Sequence, residues 1–346
     1  MEPRRECKTK VRGVHQDPPN KIRVSLGSAV LLGLTDAKLD VAPTTAYLMT
    51  YREGKCVANC GFCPQARNSE ARADMLSRVT WPAFQTEIVC ERMVASVKKG
   101  SISRICIQTL KYPKAFDDLC SLVEAVRRHA EVPISVSCQP FGKEELLRLL
   151  RAGVDRIAIP LDAAAENIFD KTKGSNIGGP YTWKKQWQLL TEANEIFGRG
   201  RVSTHLISGL GETEREMVRT IQKCVDMAIV PALFAFTPIR GTALEKHAQP
   251  SIARYRRIQL ARHLIFHGTT RCERMKFDET EAITDFGINK KELLEIASKG
   301  VPFLTSGCPN CNRPFYNEKP SGPLFNFPRE PEFEELSIIR KQLGLE

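Results

Sequence analysis

The sequence predicts an α/β chain folded as a partial or complete TIM-like (βα) barrel with a C-terminal extension. Two observations carry that expectation. From residue 44 to about 238, short β-branched runs alternate six times with amphipathic helical stretches, the pattern of parallel strands covered by helices. No Gly-x-Gly-x-x-Gly opens the first of these helices. That counts against a dinucleotide-binding sheet and favours a barrel, whose chemistry sits at the C-terminal ends of its strands.

The expected strands are 45–49, 104–109, 134–139, 156–161, 202–207 and 232–237. Helical spacing of apolar residues covers 81–98, 116–129, 143–152, 183–196, 212–227 and 250–267. Residues 1–20 read as a loose tail and 21–42 as a short helix or cap. The chain thus divides into an N-terminal tail and cap (1–43), the barrel (44–267) and an extension (268–346) richer in Pro, Asn and Phe.

A composition of 42% hydrophobic and 26% charged residues is that of a globular protein. No apolar run of about 18 residues occurs, so no membrane span is expected. The basic N-terminus lacks an apolar signal core, which makes the cytoplasm the expected compartment. The net charge of +11 suits an acidic partner or only a soluble basic surface. Basic residues are scattered, with no stripe of interleaved aromatics, so nucleic acid is not an expected partner.

Twelve cysteines are many for a reducing compartment, where they serve more often as metal ligands, catalytic groups or small core residues than in disulfides. Cys90, Cys120 and Cys224 lie in apolar helical segments and are expected in the core. Cys56, Cys60, Cys63, Cys308 and Cys311 lie in Gly-, Asn- and Pro-rich loops where packing does not call for them. Cys56, Cys60 and Cys63 have the spacing C-x3-C-x2-C directly after the first strand. Three thiolates there can bind three irons of a cubane and leave the fourth open. The alternative is zinc, with Cys308-Pro-Asn-Cys311 as the second C-x2-C pair. That second pair is itself read as iron–sulfur or as zinc. Cys106 and Cys138 are the first choices to complete it, Cys272 the reserve, and Ser306, Arg313 and Cys7 remoter options.

With these motifs the chain resembles the radical S-adenosylmethionine (SAM) superfamily. Cys60-Gly-Phe-Cys63-Pro-Gln and the later motifs look like its biotin synthase-like branch, over about residues 44–242. The resemblance implies a 4Fe–4S cluster on Cys56, Cys60 and Cys63 whose open iron chelates SAM. The chemistry to expect is a 5′-deoxyadenosyl radical, supplied by the cofactor. It also implies SAM contacts from Phe62 and Ile207 near adenine, Asp162 on the ribose hydroxyls, and Gln108 and Thr109 near the methionine amino group. Two departures are Ser203, where biotin synthase has a third barrel cysteine, and Pro160, where an asparagine precedes the strand-four acid.

The segment Gly307–Pro323 around Cys308 and Cys311 resembles the C-terminal part of biotin synthase-like proteins that act as a two-protein lipoyl synthase. That resemblance implies a radical SAM sulfurtransferase with two 4Fe–4S clusters. The auxiliary cluster would give sulfur to a protein-bound octanoyl or mercapto-octanoyl chain. The implied partners are an acidic lipoyl carrier (a lipoyl domain or a glycine cleavage H protein), a second synthase subunit, and a ferredoxin or flavodoxin as reductant. The competing readings are another radical SAM reaction, such as biotin formation or rearrangement, and a zinc-stabilised binding protein.

Overall fold

The computed structural model describes residues 17–140 and 142–345. In chain order, β1 (Lys21–Val24) and α1 (Leu26–Leu31) precede β2 (Thr45–Thr50). A small hairpin of β3 (Met75–Leu76) and β4 (Val79–Thr80), then β5 (Ala83–Gln85), lead into α2 (Thr86–Lys98). The barrel continues through β6 (Arg104–Gln108), α3 (Ala115–His129), β7 (Ile134–Ser137), α4 (Lys143–Arg151) and β8 (Arg156–Ala158). It ends with α5 (Glu166–Thr172), α6 (Trp183–Phe197), β9 (Val202–Ser208), α7 (Glu214–Asp226), β10 (Val230–Ala235) and α8 (Ile252–Phe266). The extension adds β11 (Lys276–Phe277), β12 (Ile283–Asp285), α9 (Lys290–Ser298) and α10 (Phe333–Leu343).

All six expected strands form, and they pair in parallel in the order β10-β9-β8-β7-β6-β2. Antiparallel β1 and β5 extend the β2 side, and β10 does not meet them, so the barrel is partial. The expected helix or cap over 21–42 begins instead as a strand. Ile22 and Val24 are β-branched and buried, and Arg23 reaches across to donate from Nη1 to the Trp81 carbonyl at 2.9 Å. The helix expected from 81 starts only at Thr86, because residues 83–85 pair with β1 and the Pro82 carbonyl accepts from the Val24 N–H at 3.0 Å. α5 was not anticipated. The tail expected at 1–20, with Cys7, lies almost wholly outside the described residues.

Local sequence fixes the helix starts. Thr213 and Glu216 form a reciprocal capping box at α7, and Thr182 and Ser251 cap α6 and α8. Cys90, Cys120 and Cys224 are buried, as expected of core cysteines. No helix among the described residues is long and apolar enough to cross a membrane.

The extension closes the open side of the arc. On one bank, the Leu233 N–H of β10 donates to Ser306 Oγ at 2.8 Å, and Thr237 Oγ1 donates to the Asn317 carbonyl at 2.9 Å. On the other bank, the Thr44 N–H donates to Asn312 Oδ1 at 3.0 Å, the Arg313 N–H to the Tyr47 hydroxyl at 2.9 Å, and Ser77 Oγ to the Tyr316 carbonyl at 2.8 Å. Thr44 precedes β2 and Thr237 follows β10, so residues 306–317 run the length of the gap.

Arg256 on α8 holds this arrangement from behind. It is buried and donates to the carbonyls of Phe325 (2.7 Å) and Leu324, to Gln259 Oε1 (2.6 Å) and to Gln342 Oε1 (3.1 Å). Its guanidinium also lies over the rings of Phe303 and Phe327. Charge-assisted hydrogen bonds contribute about 1.5–3 kcal/mol each. Arg256→Met should therefore destabilise the fold by about 3 kcal/mol or more and expose residues 304–330 to protease first. Urea unfolding and timed proteolysis read both effects. An unchanged unfolding midpoint with a protected extension would refute the assignment.

Candidate functional site

The arc and the extension enclose a cavity of about 450 Å³. Both loop cysteine sets line it: Cys56, Cys60 and Cys63 on one wall, and Cys308 and Cys311 with Cys106 on another.

The first loop follows β2 and is held by its own backbone. The Cys56 N–H donates to the Gln65 carbonyl (2.9 Å), Val57 N–H to the Lys111 carbonyl (2.8 Å), Gly61 N–H to the Thr172 carbonyl (2.7 Å) and Cys63 N–H to the Cys60 carbonyl (3.0 Å). Gln65 Nε2 braces it further on the carbonyls of Ala73 and Met75, both at 2.6 Å. The Lys111 N–H donates to Cys56 Sγ at 3.1 Å. Burial pushes the Cys60 thiol up, with Lys173 opposing, and burial pushes Cys63 up to about 12. Such thiols stay protonated until a metal displaces the protons, so loading of this loop strengthens as pH rises.

The second set joins strand and extension. Tyr47 Oη lies 3.3 Å from Cys311 Sγ, Ser135 Oγ 3.3 Å from Cys308 Sγ, and Gln108 Nε2 donates to Cys106 Sγ at 3.2 Å. Burial raises the Cys106 thiol, and Cys308 and Cys311 raise it further, which marks the three as one electrostatic group. Arg313 supplies positive charge beside them. Its guanidinium lies 3.9 Å from the Phe234 ring centre and donates to the Ser306 carbonyl at 2.5 Å.

Of two further expected members, Cys272 sits elsewhere. Cys138 borders the same cavity just past Ser135 and Ser137, with its thiol beside α3 and α4. Cys138 is buried in the main core, its thiol raised by burial and by Glu145 of α4 and Cys120 of α3. Cys272 lies on the outer face beside α7, where its N–H donates to Gln222 Oε1 at 3.0 Å. Ser306 Oγ is engaged with β10. No three His, Cys, Asp or Glu side chains among the described residues close on a single ion. The cavity is bordered by three thiols from the β2 loop and three from β6 and the extension, a donor set a cubane could use with one thiolate per iron.

Among the residues expected at SAM, Phe62, Thr109, Asp162 and Ile207 all line the cavity. Thr109 Oγ1 is buried without a hydrogen-bond partner, which fits a donor or acceptor reserved for a ligand. Gln108 also lines the cavity, but its amide is turned to Cys106. Asp162 has a left-handed backbone (φ 69°), and its Oδ2 accepts from the buried Lys173 Nζ at 2.6 Å. The same ammonium bonds the Pro160 carbonyl, at the position where the resemblance calls for a polar side chain. In the following turn, Gly209 (φ 103°) lies so close to Pro250 that a Cβ would come within 2.6 Å of its Cδ. Glu212 accepts from the Gly209 and Leu210 N–H groups at 2.8 and 2.9 Å, so this acid braces the turn.

Sequence reasoning missed Lys173, Tyr181, His205 and Ser135. His205 lies at the cavity between Asp162 and Arg313, and burial holds its pKa down to about 4, so it is neutral near pH 7. Ser135 was legible from the Ile-Ser-Val-Ser alternation of β7; Lys173 sits just past the unanticipated α5 and carried no signal.

The family model of the radical SAM superfamily matches residues 54–224 of the chain. That superfamily pairs a 4Fe–4S cluster with SAM. The chain is 26% identical over 204 residues to a biotin synthase of Streptococcus agalactiae serotype V, covering 58% of each protein. It is 28% identical over 206 residues to a biotin synthase of a Hydrogenobaculum species, again 58% of each. The match thus spans under two thirds of these relatives' length. The crystal structure of methylornithine synthase superposes with a TM-score of 0.51 at 13% identity, over 70% of this chain and 67% of that one, a likeness of fold.

The Lys173–Asp162 pair lends itself to a double-mutant cycle. Removing one partner of a buried ion pair costs about 3–5 kcal/mol. Lys173→Met should destabilise by that order, and Lys173→Met with Asp162→Asn by clearly less. Urea unfolding of the four proteins measures the coupling. Additive effects would show that the pair is not an energetic unit.

Proposed function

We propose that this protein is a radical SAM sulfurtransferase that inserts sulfur into an octanoyl or mercapto-octanoyl chain carried on a lipoyl protein. The observation that carries the reading is the meeting of Cys308, Cys311 and Cys106 in the same cavity as Cys56, Cys60 and Cys63. Ser203 stands where the biotin synthase pattern places a cysteine, which weighs against biotin formation.

In this reading Cys56, Cys60 and Cys63 hold the radical cluster, and the second set holds an auxiliary 4Fe–4S cluster. When bound, the radical cluster and SAM supply a radical able to take hydrogen from an unactivated carbon, and the auxiliary cluster supplies sulfide. The chain's own residues bind and orient. Asp162, held by Lys173, offers its remaining oxygen to ribose hydroxyls, Thr109 faces the methionine end, and Phe62 and Ile207 pack on adenine. Met49, Leu76, Leu110 and Phe236 give the cavity apolar wall for an acyl chain and keep water from the reacting carbon. His205, neutral near pH 7, can accept a hydrogen bond without adding charge between the two sites.

The net charge of +11 suits an acidic carrier, with a second synthase subunit and a ferredoxin or flavodoxin as further partners. Exposed charges are screened beyond about 8 Å at physiological ionic strength. Affinity for an octanoylated lipoyl domain should therefore fall as salt rises, as titration calorimetry would record. Salt-independent binding would remove charge from the recognition.

Replacing Cys308 and Cys311 with Ala should separate the two halves of the chemistry. With SAM, dithionite and an octanoylated peptide, the variant should release 5′-deoxyadenosine and insert no sulfur, and should lose about four irons. Loss of about one zinc with iron unchanged, or normal thiolated product, would contradict the proposal.

A further inference from the structure

We propose that a second, open cavity beside residues 317–325 is the entrance by which a carried acyl-lysine arm reaches the thiol-lined cavity, and that Asn317 and Glu318 bind the amide of that arm. This rests on the sulfurtransferase reading above and adds the route of its substrate. The second cavity measures about 1290 Å³ and is walled by residues 70–78, the stretch after β10 and residues 317–325. Thr237 and Asn317 line it and the thiol-lined cavity alike, so the two adjoin there. Met75, Ile239 and Phe325 give it apolar wall, which suits the methylenes of a lysine stem.

Two buried polar side chains at this junction have no task within the fold. Glu318 is 4% exposed, and its Oε2 is buried without a hydrogen-bond partner among the described residues. Burial pushes the carboxyl up to about 7, although the Asn326 N–H and Arg313 pull the other way. Asn317 is 7% exposed. Its carbonyl accepts from Thr237 Oγ1 at 2.9 Å, which fixes the backbone, while its side-chain amide makes no hydrogen bond among the described residues. Buried polar groups are mostly paired in native proteins, so two unpaired neighbours on one cavity wall mark a place for a ligand.

An acyl-lysine matches that place. It has a single polar group between two apolar stretches, a secondary amide with one donor and one acceptor. Its N–H can donate to Glu318 Oε2, and its carbonyl can accept from the Asn317 side-chain amide. An anionic ligand would instead meet the Glu318 carboxyl. With the amide held at the junction, the acyl chain extends past Thr237 into the thiol-lined cavity. Around the mouth Arg72, Arg78, Arg240 and Lys319 outnumber Glu70 and Glu245. Arg72 is paired with Asp74, which leaves a small positive excess that favours an acidic carrier. No bond is made or broken at this site.

The test uses the full chain with its clusters reconstituted. Titration calorimetry compares three lipoyl-domain peptides: one octanoylated on lysine, one with an ester in place of the amide, and one unacylated. The wild type should bind the amide about tenfold more tightly than the ester, which lacks the N–H. Glu318→Leu should bind the two alike. Asn317→Leu should weaken both, because both keep the carbonyl. A photoreactive octanoyl-lysine peptide, with a diazirine on the lysine stem, needs no variant to fold. It should crosslink to residues 70–78, 237–252 and 317–325 of the wild type. Equal affinity of the wild type for amide and ester overturns the assignment while the sulfurtransferase reading stands. So do crosslinks to residues 111–117 and 145–148, which also line the thiol-lined cavity. Equal affinity for octanoylated and unacylated peptides overturns the substrate of that reading, and this inference with it.

Discussion

The open edge of β10 is the constraint on which the rest depends. Six parallel strands do not close a barrel, and an uncovered strand edge beside an apolar cavity leaves backbone groups unpaired and the interior wet. The extension solves this with side chains as well as backbone. Ser306 and the Asn317 carbonyl engage the β10 bank, Asn312 and the Arg313 N–H engage the β2 bank, and Arg256 fastens the next segment from the outside. Because the same stretch carries Cys308 and Cys311, closing the fold and furnishing the cavity are one event.

That economy shapes the electrostatics. Nine titratable or charged groups, Lys173, Asp162, Arg313 and the six thiols of the two sets, line one cavity. Buried thiols there are held protonated, and buried cations balance the anions that would replace them. Lys173 stands by the Cys56–Cys63 loop, and Arg104 and Arg313 by Cys311, so each thiol set has its own counter-charge. His205 between them stays neutral.

Much of this was legible in the sequence, for identifiable reasons. Parallel strands buried on both faces, such as β2 and β10, write largely continuous apolar or β-branched runs, and all six were placed within a few residues. The cysteine loop announced itself by spacing. What failed depended on direction or on distant partners. Cys138 and Ser135 border one cavity from one short segment, yet the Cys138 thiol lies beside α3 and α4. The turn of Gln108 toward Cys106, and the capture of Asp162 by Lys173 from beyond another helix, are tertiary facts with no local pattern. β1 was read as part of a cap because its four residues gain their identity only by pairing with β2.

The central claim is that sulfur leaves this protein's own second cluster for the acyl chain. The direct measurement is a single turnover with protein whose clusters were rebuilt with heavy-isotope sulfide, in ordinary buffer, with SAM, a reductant and an octanoylated lipoyl domain, read by mass spectrometry of the product. The account predicts a thiolated chain carrying the heavy isotope, in an amount no greater than one equivalent of auxiliary cluster can supply. A thiolated product without the label, or SAM cleavage with an unthiolated chain, would contradict it.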